Sequence, residues 1–81
     1  MYHYVYILKT IDGYIKKTYV GYSTNVVARL KKHNSSKGAK STRGYKWVLI
    51  YKRYFKDKSK AMSYEYKLKK DRKKRSILLN K

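Results

Sequence analysis

The chain has 81 residues, of which 23 are lysine or arginine and only four are aspartate or glutamate, so its net charge is +19. This length suits one domain over residues 1–81, and the charge points to a polyanionic partner. The absence of cysteine excludes a disulfide framework and cysteine-based zinc sites, and an apolar content of 42% argues against a disordered polycation. Because neither a membrane span nor a signal peptide is recognisable, we expect a soluble, intracellular protein.

The beginning of the chain predicts a β-hairpin. Residues 2–8 place apolar or aromatic side chains on both faces of a strand, which predicts a central strand that is covered on two sides. An Asp-Gly turn signal follows, and residues 18–22 form the antiparallel partner strand. The hairpin therefore sets two tyrosines, Tyr6 and Tyr19, on neighbouring strands.

A helix is predicted over residues 24–33. Val26, Arg29, Leu30 and His33 have the spacing that brings side chains to one side of a helix. Arg29 and His33 are one turn apart. The two side chains could therefore reach the same point in space from the edge of the buried stripe.

Residues 34–44 form a polar loop with two glycines and the basic residues Lys37, Lys40 and Arg43. Backbone amides beside lysine and arginine suit phosphate contacts, although a loop of this kind, taken alone, is more often an ordinary solvated connection. The apolar run at 47–51 then predicts a third, buried strand.

A second long helix is predicted to run to about residue 70, with Asp57 or Ser59 as its cap. After a nearly all-basic run over 69–75, a short final helix is predicted to pack against the body through residues 77–79. Ala61, Glu65 and Leu68 share one side of the second long helix, so the only glutamate of the chain lies on its apolar stripe. A buried carboxylate needs a cationic partner. That partner is either a basic side chain or a hard divalent cation, since Mg²⁺ commonly uses one or two protein carboxylates.

The order of these features resembles the GIY-YIG nuclease superfamily. The features are the tyrosine strand, residues 19–21, the helix with Arg29 and His33, the loop at 38–43 and the later glutamate. The likeness is closest to the superfamily's small single-domain bacterial type and to the nuclease domain of structure-specific endonuclease subunits, and it covers nearly the whole chain. It implies an α+β (α/β) fold, in which a small three-stranded antiparallel sheet is flanked by helices in the order β-β-α-β-α-(α).

The resemblance also implies roles for individual residues. Tyr6 and Tyr19 match the tyrosines of the two family motifs, Arg29 the helix arginine, and Glu65 the glutamate that would hold one Mg²⁺ or Mn²⁺ ion. His33 lies one turn beyond the arginine and would orient a tyrosine or relay a proton. Either phenol could take the proton of the attacking water, while the guanidinium would clamp the phosphate oxygens.

The implied activity is metal-dependent hydrolysis of DNA. Because nothing in the chain resembles a base-reading module, we expect selectivity for structure, such as branches or nicks, rather than for sequence. A larger protein partner could supply substrate recognition, a membrane is not expected, and the location would be cytoplasmic or nucleoid-associated. The alternative is a basic nucleic-acid-binding protein without catalysis. The side chains expected to contact nucleic acid are Lys37, Lys40, Thr42, Arg43, Lys69 and Lys70.

Overall fold

Strands and helices follow one another in the predicted α+β order. The structure is a computed structural model that describes residues 2–79. Its elements are β1 (His3–Thr10), β2 (Thr18–Ser23), α1 (Val26–Asn34), a single 3-10 turn (Lys40–Thr42), β3 (Trp47–Phe55), α2 (Lys58–Lys70) and α3 (Arg72–Leu79).

The sheet is antiparallel, with strand order β2-β1-β3. The first strand is therefore central, as its apolar faces predicted, and Val5, Ile7 and Leu8 are each 0% exposed. Tyr6 pairs with Gly21 on one side and with Lys52 on the other. A register shift between Ile7 and Leu8 interrupts the pairing with β3.

The two faces of the sheet carry separate hydrophobic clusters, because successive side chains of a strand point to opposite faces. On one face, α2 supplies side chains to a cluster made of Val5, Ile7, Val20, Ala61 and Leu68. On the other face, α1 contributes to a cluster made of Tyr6, Leu8, Val26 and Trp47. The two longest helices thus cover opposite faces of a thin sheet.

The third strand differs from its predicted burial. Trp47 is 3% exposed, but Val48 and Leu49 are 38% and 37% exposed. The reason is the strand order, which gives β3 only one hydrogen-bonded neighbour, β1, and places it at an edge of the sheet. The run was correctly identified as a strand, but the prediction of a buried strand was wrong.

The helix starts are set by short polar side chains. Asn25 caps α1, since its Oδ1 accepts a hydrogen bond from the Ala28 amide at 3.1 Å, and Asp57 caps α2 by accepting from the Ser59 amide at 2.8 Å. The cap predicted for α2 is confirmed. Ile77 on α3 is 63% exposed, while the side chains of residues 78 and 79 lie outside the described part. No helix within residues 2–79 combines the length and apolarity needed to span a bilayer.

Candidate active site

The hairpin places two phenol rings in contact because the residue opposite Tyr6 has no side chain. Tyr6 and Gly21 are cross-strand partners, and the Tyr6 and Tyr19 ring centroids are 6.4 Å apart. A Cβ atom on Gly21 would lie 2.5 Å from Tyr6 Cζ and 2.9 Å from Tyr19 Cε2. These separations are far inside van der Waals contact, so the two rings occupy the space that glycine leaves.

Helix α1 adds an imidazole to the pair of phenols. His33 is 1% exposed, and its Nε2 lies 3.0 Å from the Tyr6 hydroxyl. The His33 ring also packs on the Tyr19 ring with centroids 4.8 Å apart. The spacing of α1 predicted that His33 faces the buried side, and the structure brings it against both tyrosines.

A threonine determines which nitrogen of His33 carries the proton. The Thr42 hydroxyl donates its single hydrogen to the Ala39 carbonyl at 2.8 Å, so it can only accept from His33 Nδ1, 2.9 Å away. Nδ1 is then the protonated nitrogen, and Nε2 is left to accept a hydrogen bond from the Tyr6 hydroxyl. Burial and the nearby charge of Arg29 lower the pKa of His33, which keeps the ring neutral as this arrangement requires.

The loop before β3 holds this threonine in place. Gly38 packs so closely that a Cβ atom there would lie 2.5 Å from His33 Nδ1, and the Trp47 indole donates to the Thr42 carbonyl at 3.0 Å. Thr42 itself is 0% exposed. The expectation that its side chain contacts nucleic acid is therefore wrong. Its hydroxyl faces the interior, where it orients the imidazole.

Sequence reasoning missed this role of Thr42 because the loop contains several hydroxyl residues. A threonine that follows a histidine-bearing helix was the available signal, but it does not show which hydroxyl points inward. The remaining loop residues of the predicted nucleic-acid surface are exposed, as are the two from the end of α2: Lys37, Lys40, Arg43, Lys69 and Lys70.

The electrostatics of Tyr6 show which charged groups approach its oxygen. Burial, followed by the charge of Tyr19 and with a smaller contribution from Glu65, raises the pKa of Tyr6 to about 12, although hydrogen bonding and charge from Arg29 act in the opposite direction. Arg29 is exposed on α1, on the same face of the sheet as the phenol. At neutral pH Tyr6 therefore carries its proton and donates it towards His33.

Glu65 lies on α2, which packs on the opposite face of the sheet from Tyr6. Its side chain is 14% exposed, and Lys69, one turn along α2, lies 3.7 Å from its Oε1. An ion pair of this length with a half-exposed lysine contributes little to stability, so the predicted choice between a salt bridge and a metal ligand is not decided by the contact itself. The carboxylate is close enough for its charge to act on Tyr6.

The donor set around Glu65 fits a cation that takes few protein ligands. Within residues 2–79, no group of three or more histidine, aspartate, glutamate or cysteine side chains converges. A transition-metal cage is thus not formed by these residues. A single, largely shielded carboxylate suits Mg²⁺ or Mn²⁺, which fill their remaining positions with water and phosphate oxygens.

Comparison with known proteins identifies the family. The GIY-YIG catalytic domain matches residues 2–78. This chain belongs to the GIY-YIG family. The GIY-YIG catalytic domain is a nuclease domain, so membership implies an endonuclease family.

Relatives of this GIY-YIG chain are bacterial. It is 48% identical over 68 residues to a UPF0213 protein of Staphylococcus haemolyticus. This alignment covers 83% of this chain and 79% of that protein. It is 43% identical over 68 residues to a UPF0213 protein of Staphylococcus aureus, with the same coverage of 83% and 79%. The solution NMR structure of the UPF0213 protein BH0048 from Bacillus halodurans aligns with a TM-score of 0.54 at 44% identity, covering 99% of this chain and 84% of that one.

Proposed function

We propose that the protein is a divalent-metal-dependent endonuclease that cleaves DNA according to its structure rather than its sequence. The observation that carries this proposal is that two rings pack against one buried phenol, Tyr6, and that two charged side chains influence its pKa. The rings are the Tyr19 phenol and the His33 imidazole, and the charged side chains are Arg29 and Glu65. A passive DNA-binding protein would have no use for a buried phenol that is hydrogen-bonded to a buried imidazole.

Tyr6 acts as the proton acceptor for the attacking water. Because the pKa of Tyr6 is raised to about 12, only a very small fraction of this side chain is phenolate at neutral pH. The hydrogen bond to His33 removes this difficulty, since Tyr6 can pass its own proton to Nε2 while it receives one from water. The oxygen of water then bonds to phosphorus, and the leaving oxygen departs with the electron pair of the broken P–O bond.

Arg29 connects the binding of the phosphate with the access of water to the Tyr6 oxygen. Tyr6 is 1% exposed, and Arg29 is near enough to act against the rise in its pKa. A guanidinium binds the non-bridging oxygens of a phosphate in a fork-like geometry. When Arg29 turns to the scissile phosphate, it stabilises the charge that develops there and leaves the phenol oxygen open to water.

Glu65 would hold the metal ion. A bound Mg²⁺ or Mn²⁺ ion supplies Lewis-acid stabilisation of negative charge on the phosphate oxygens. Glu65 provides the anionic ligand, and its weak pairing with Lys69 is readily exchanged. Lys69 is then available to the DNA backbone together with the other exposed basic residues.

The exposed basic residues supply affinity without sequence information. They are Lys37, Lys40, Arg43, Lys69 and Lys70. Contacts to phosphates fix the position of the duplex but do not read its bases, and they weaken steeply as the salt concentration rises. This supports selectivity for the shape of the substrate, for example a branch or a nick.

Cleavage assays with and without metal test the proposal. Purified protein should nick branched or nicked DNA in Mg²⁺ or Mn²⁺, act more slowly on intact linear duplex, and be inactive in EDTA. Tight, salt-sensitive binding without cleavage under any metal condition would favour the passive nucleic-acid-binding protein. Activity that appears only when cell extract is added would indicate that a protein partner supplies part of the function.

Replacement of Thr42 tests the proton path through His33. Thr42→Val keeps the shape of the side chain but leaves His33 Nδ1–H without its acceptor in a buried position. We expect the free energy of unfolding to fall by about 1–3 kcal/mol and the rate of cleavage to fall roughly 10-fold, since Nε2 can then become the protonated nitrogen.

The ¹⁵N chemical shifts of the His33 ring distinguish this effect from a purely structural one. The wild type should show Nδ1–H, whereas Thr42→Val should populate Nε2–H. Thr42→Ser retains the hydroxyl and is the matched control, which should keep the wild-type tautomer. An unchanged tautomer in Thr42→Val would contradict the proposed role.

A further inference from the structure

Three tyrosines form an exposed group next to the candidate active site. Tyr4 pairs with Tyr54 across β1 and β3, while Tyr6 pairs with Lys52 two residues further along each strand. Directly opposite residues in an antiparallel sheet point to the same face, so Tyr4, Tyr54 and Lys52 share the face of Tyr6. The ring centroids of Tyr2 and Tyr54 are 5.2 Å apart, and those of Tyr4 and Tyr54 are 5.8 Å apart. We refer to Tyr2, Tyr4 and Tyr54 as the tyrosine cluster.

The tyrosine cluster is open to solvent although its rings are large. Tyr2 is 62% and Tyr54 42% exposed, and Tyr4 is partly buried. Lys52 Nζ lies 5.5 Å from the centre of the Tyr4 ring. Tyr4 packs in part against the buried cluster that contains Tyr6, whereas Tyr2 and Tyr54 leave aromatic surface exposed beside this cation.

A cleft adjoins the cluster at the start of α1. It has a volume of about 230 Å³ and is bordered by Tyr2, Tyr4, Lys52, Asn25 and Val27. Val26 and Val27 both border the cleft, so part of its lining is aliphatic. Asn25 uses its Oδ1 to cap α1, which leaves its amide hydrogens to donate to a ligand. The cleft combines aromatic and aliphatic side chains, the hydrogen-bond donors of Thr24 and Asn25, and one cation.

A nucleotide whose base is unpaired matches these features. Bases stack on aromatic side chains irrespective of their identity, and a lysine beside the ring can meet the phosphate of the same nucleotide. A base within a duplex is already stacked on both faces and offers no free surface. The net charge of +19 further favours a polyanionic strand over a protein segment as the occupant.

We propose that the tyrosine cluster stacks one unpaired base of a DNA strand beside the scissile phosphate. The proposal deepens the proposed endonuclease function and rests on DNA being its substrate. Tyr4 precedes Tyr6 by two residues on one strand, which is about 7 Å. The stacked base therefore lies within one or two nucleotides of the phosphate at Tyr6. The preferred substrates are those with an unpaired base at this place, such as flaps, gaps and frayed nicks.

Binding measured in EDTA tests the proposal independently of cleavage. The probes are duplexes with a short single-stranded flap that either carries 2-aminopurine at its first unpaired position or is abasic there. The wild type should bind the base-containing flap about 10-fold more tightly than the abasic flap, and stacking should quench the 2-aminopurine fluorescence. Equal affinity for the two flaps, without quenching, would overturn the proposal.

Three variants identify the rings responsible. Tyr54→Ala should abolish both the preference and the quenching, whereas Tyr54→Phe retains the ring and should keep both. Tyr66→Ala is the matched control, because Tyr66 is 60% exposed on α2 and has Lys70 Nζ 4.3 Å from its ring centre. It should keep the preference. Retention in Tyr54→Ala, or equal loss in Tyr66→Ala, would overturn the assignment to the tyrosine cluster.

The two proposals fail in different ways. A protein that prefers the base-containing flap but never cleaves DNA in Mg²⁺ or Mn²⁺ would support the tyrosine cluster and contradict the endonuclease. Metal-dependent cleavage without any preference between the two flaps would support the endonuclease and contradict base stacking. Circular dichroism of Tyr54→Ala confirms that any loss is not caused by unfolding.

Discussion

Tyr6→Phe should lower the rate of DNA cleavage by roughly 10²- to 10⁴-fold, the range expected when a general base is removed. The phenylalanine ring still fills the space beside Gly21, so the sheet and the affinity for DNA should change little. His33 Nε2 loses its hydrogen-bond donor in a buried position, and the free energy of unfolding should fall by about 1–3 kcal/mol. Single-turnover kinetics with saturating protein measure the chemical step separately from binding.

Tyr19→Phe is the control that separates the two phenols. Tyr19 packs on His33 through its ring, so removal of its hydroxyl should affect the rate less than removal of the Tyr6 hydroxyl. A larger loss in Tyr19→Phe than in Tyr6→Phe would assign the proton transfer to Tyr19 instead.

The pH dependence of the wild-type rate provides a second check on Tyr6. The folded-state pKa of His33 is lowered below its ordinary value of 6.5 by burial and by the charge of Arg29. Between pH 6.5 and this lowered pKa the folded ring stays neutral while the unfolded ring takes up a proton, so the stability should decline as the pH falls through this window. The rate should decline as the pH falls through the folded-state pKa itself, because a protonated His33 can no longer accept a proton. A rate that rises as the pH falls through this pKa would contradict proton transfer to His33.

Glu65→Gln should reduce metal-dependent cleavage by about 10³-fold or more, since loss of the anionic ligand removes several kcal/mol of charge stabilisation. The substitution preserves the size of the side chain. The ion pair that it removes is 3.7 Å long, so the free energy of unfolding should change by less than about 1 kcal/mol. Binding to DNA in EDTA should be unchanged or slightly tighter, because one negative charge is lost.

Asp12→Asn is a matched control for this change. Asp12 is exposed in the hairpin turn, and its replacement removes the same charge away from the candidate site. It should leave cleavage and its metal dependence intact. Titration with Mn²⁺ measures the apparent affinity for the metal in each variant, and an unaltered titration curve in Glu65→Gln would contradict metal binding by Glu65.

Local patterns in the sequence predicted the elements but not all of their surroundings. The apolar faces of β1 identified the central strand, and the spacing on α1 predicted that His33 faces the interior. The exposure of Val48 and Leu49 escaped prediction because an apolar run does not reveal whether its strand has one neighbour or two. Contacts between segments that are far apart in the sequence could not be predicted either. The pairing of Tyr4 with Tyr54 needs the register of β1 and β3.

The role of Thr42 could not be predicted for a related reason. Its orientation depends on the fold of the loop over His33, where Gly38 and Trp47 fix the backbone. Composition marked this loop as basic and polar, which is correct for its exposed side chains. It could not distinguish a hydroxyl that meets solvent from one that meets a buried imidazole.

Gly21 has a consequence for how catalytic competence is recognised in related chains. Positive φ values occur at Gly13 and Gly44 but not at Gly21, so an alanine or serine at position 21 would be compatible with the strand backbone. What such a residue would take away is the volume that the two aromatic rings share. A relative with a larger residue at this position can keep the architecture yet lose the ring arrangement on which the proposed mechanism depends, so we expect position 21 to distinguish active from inactive relatives.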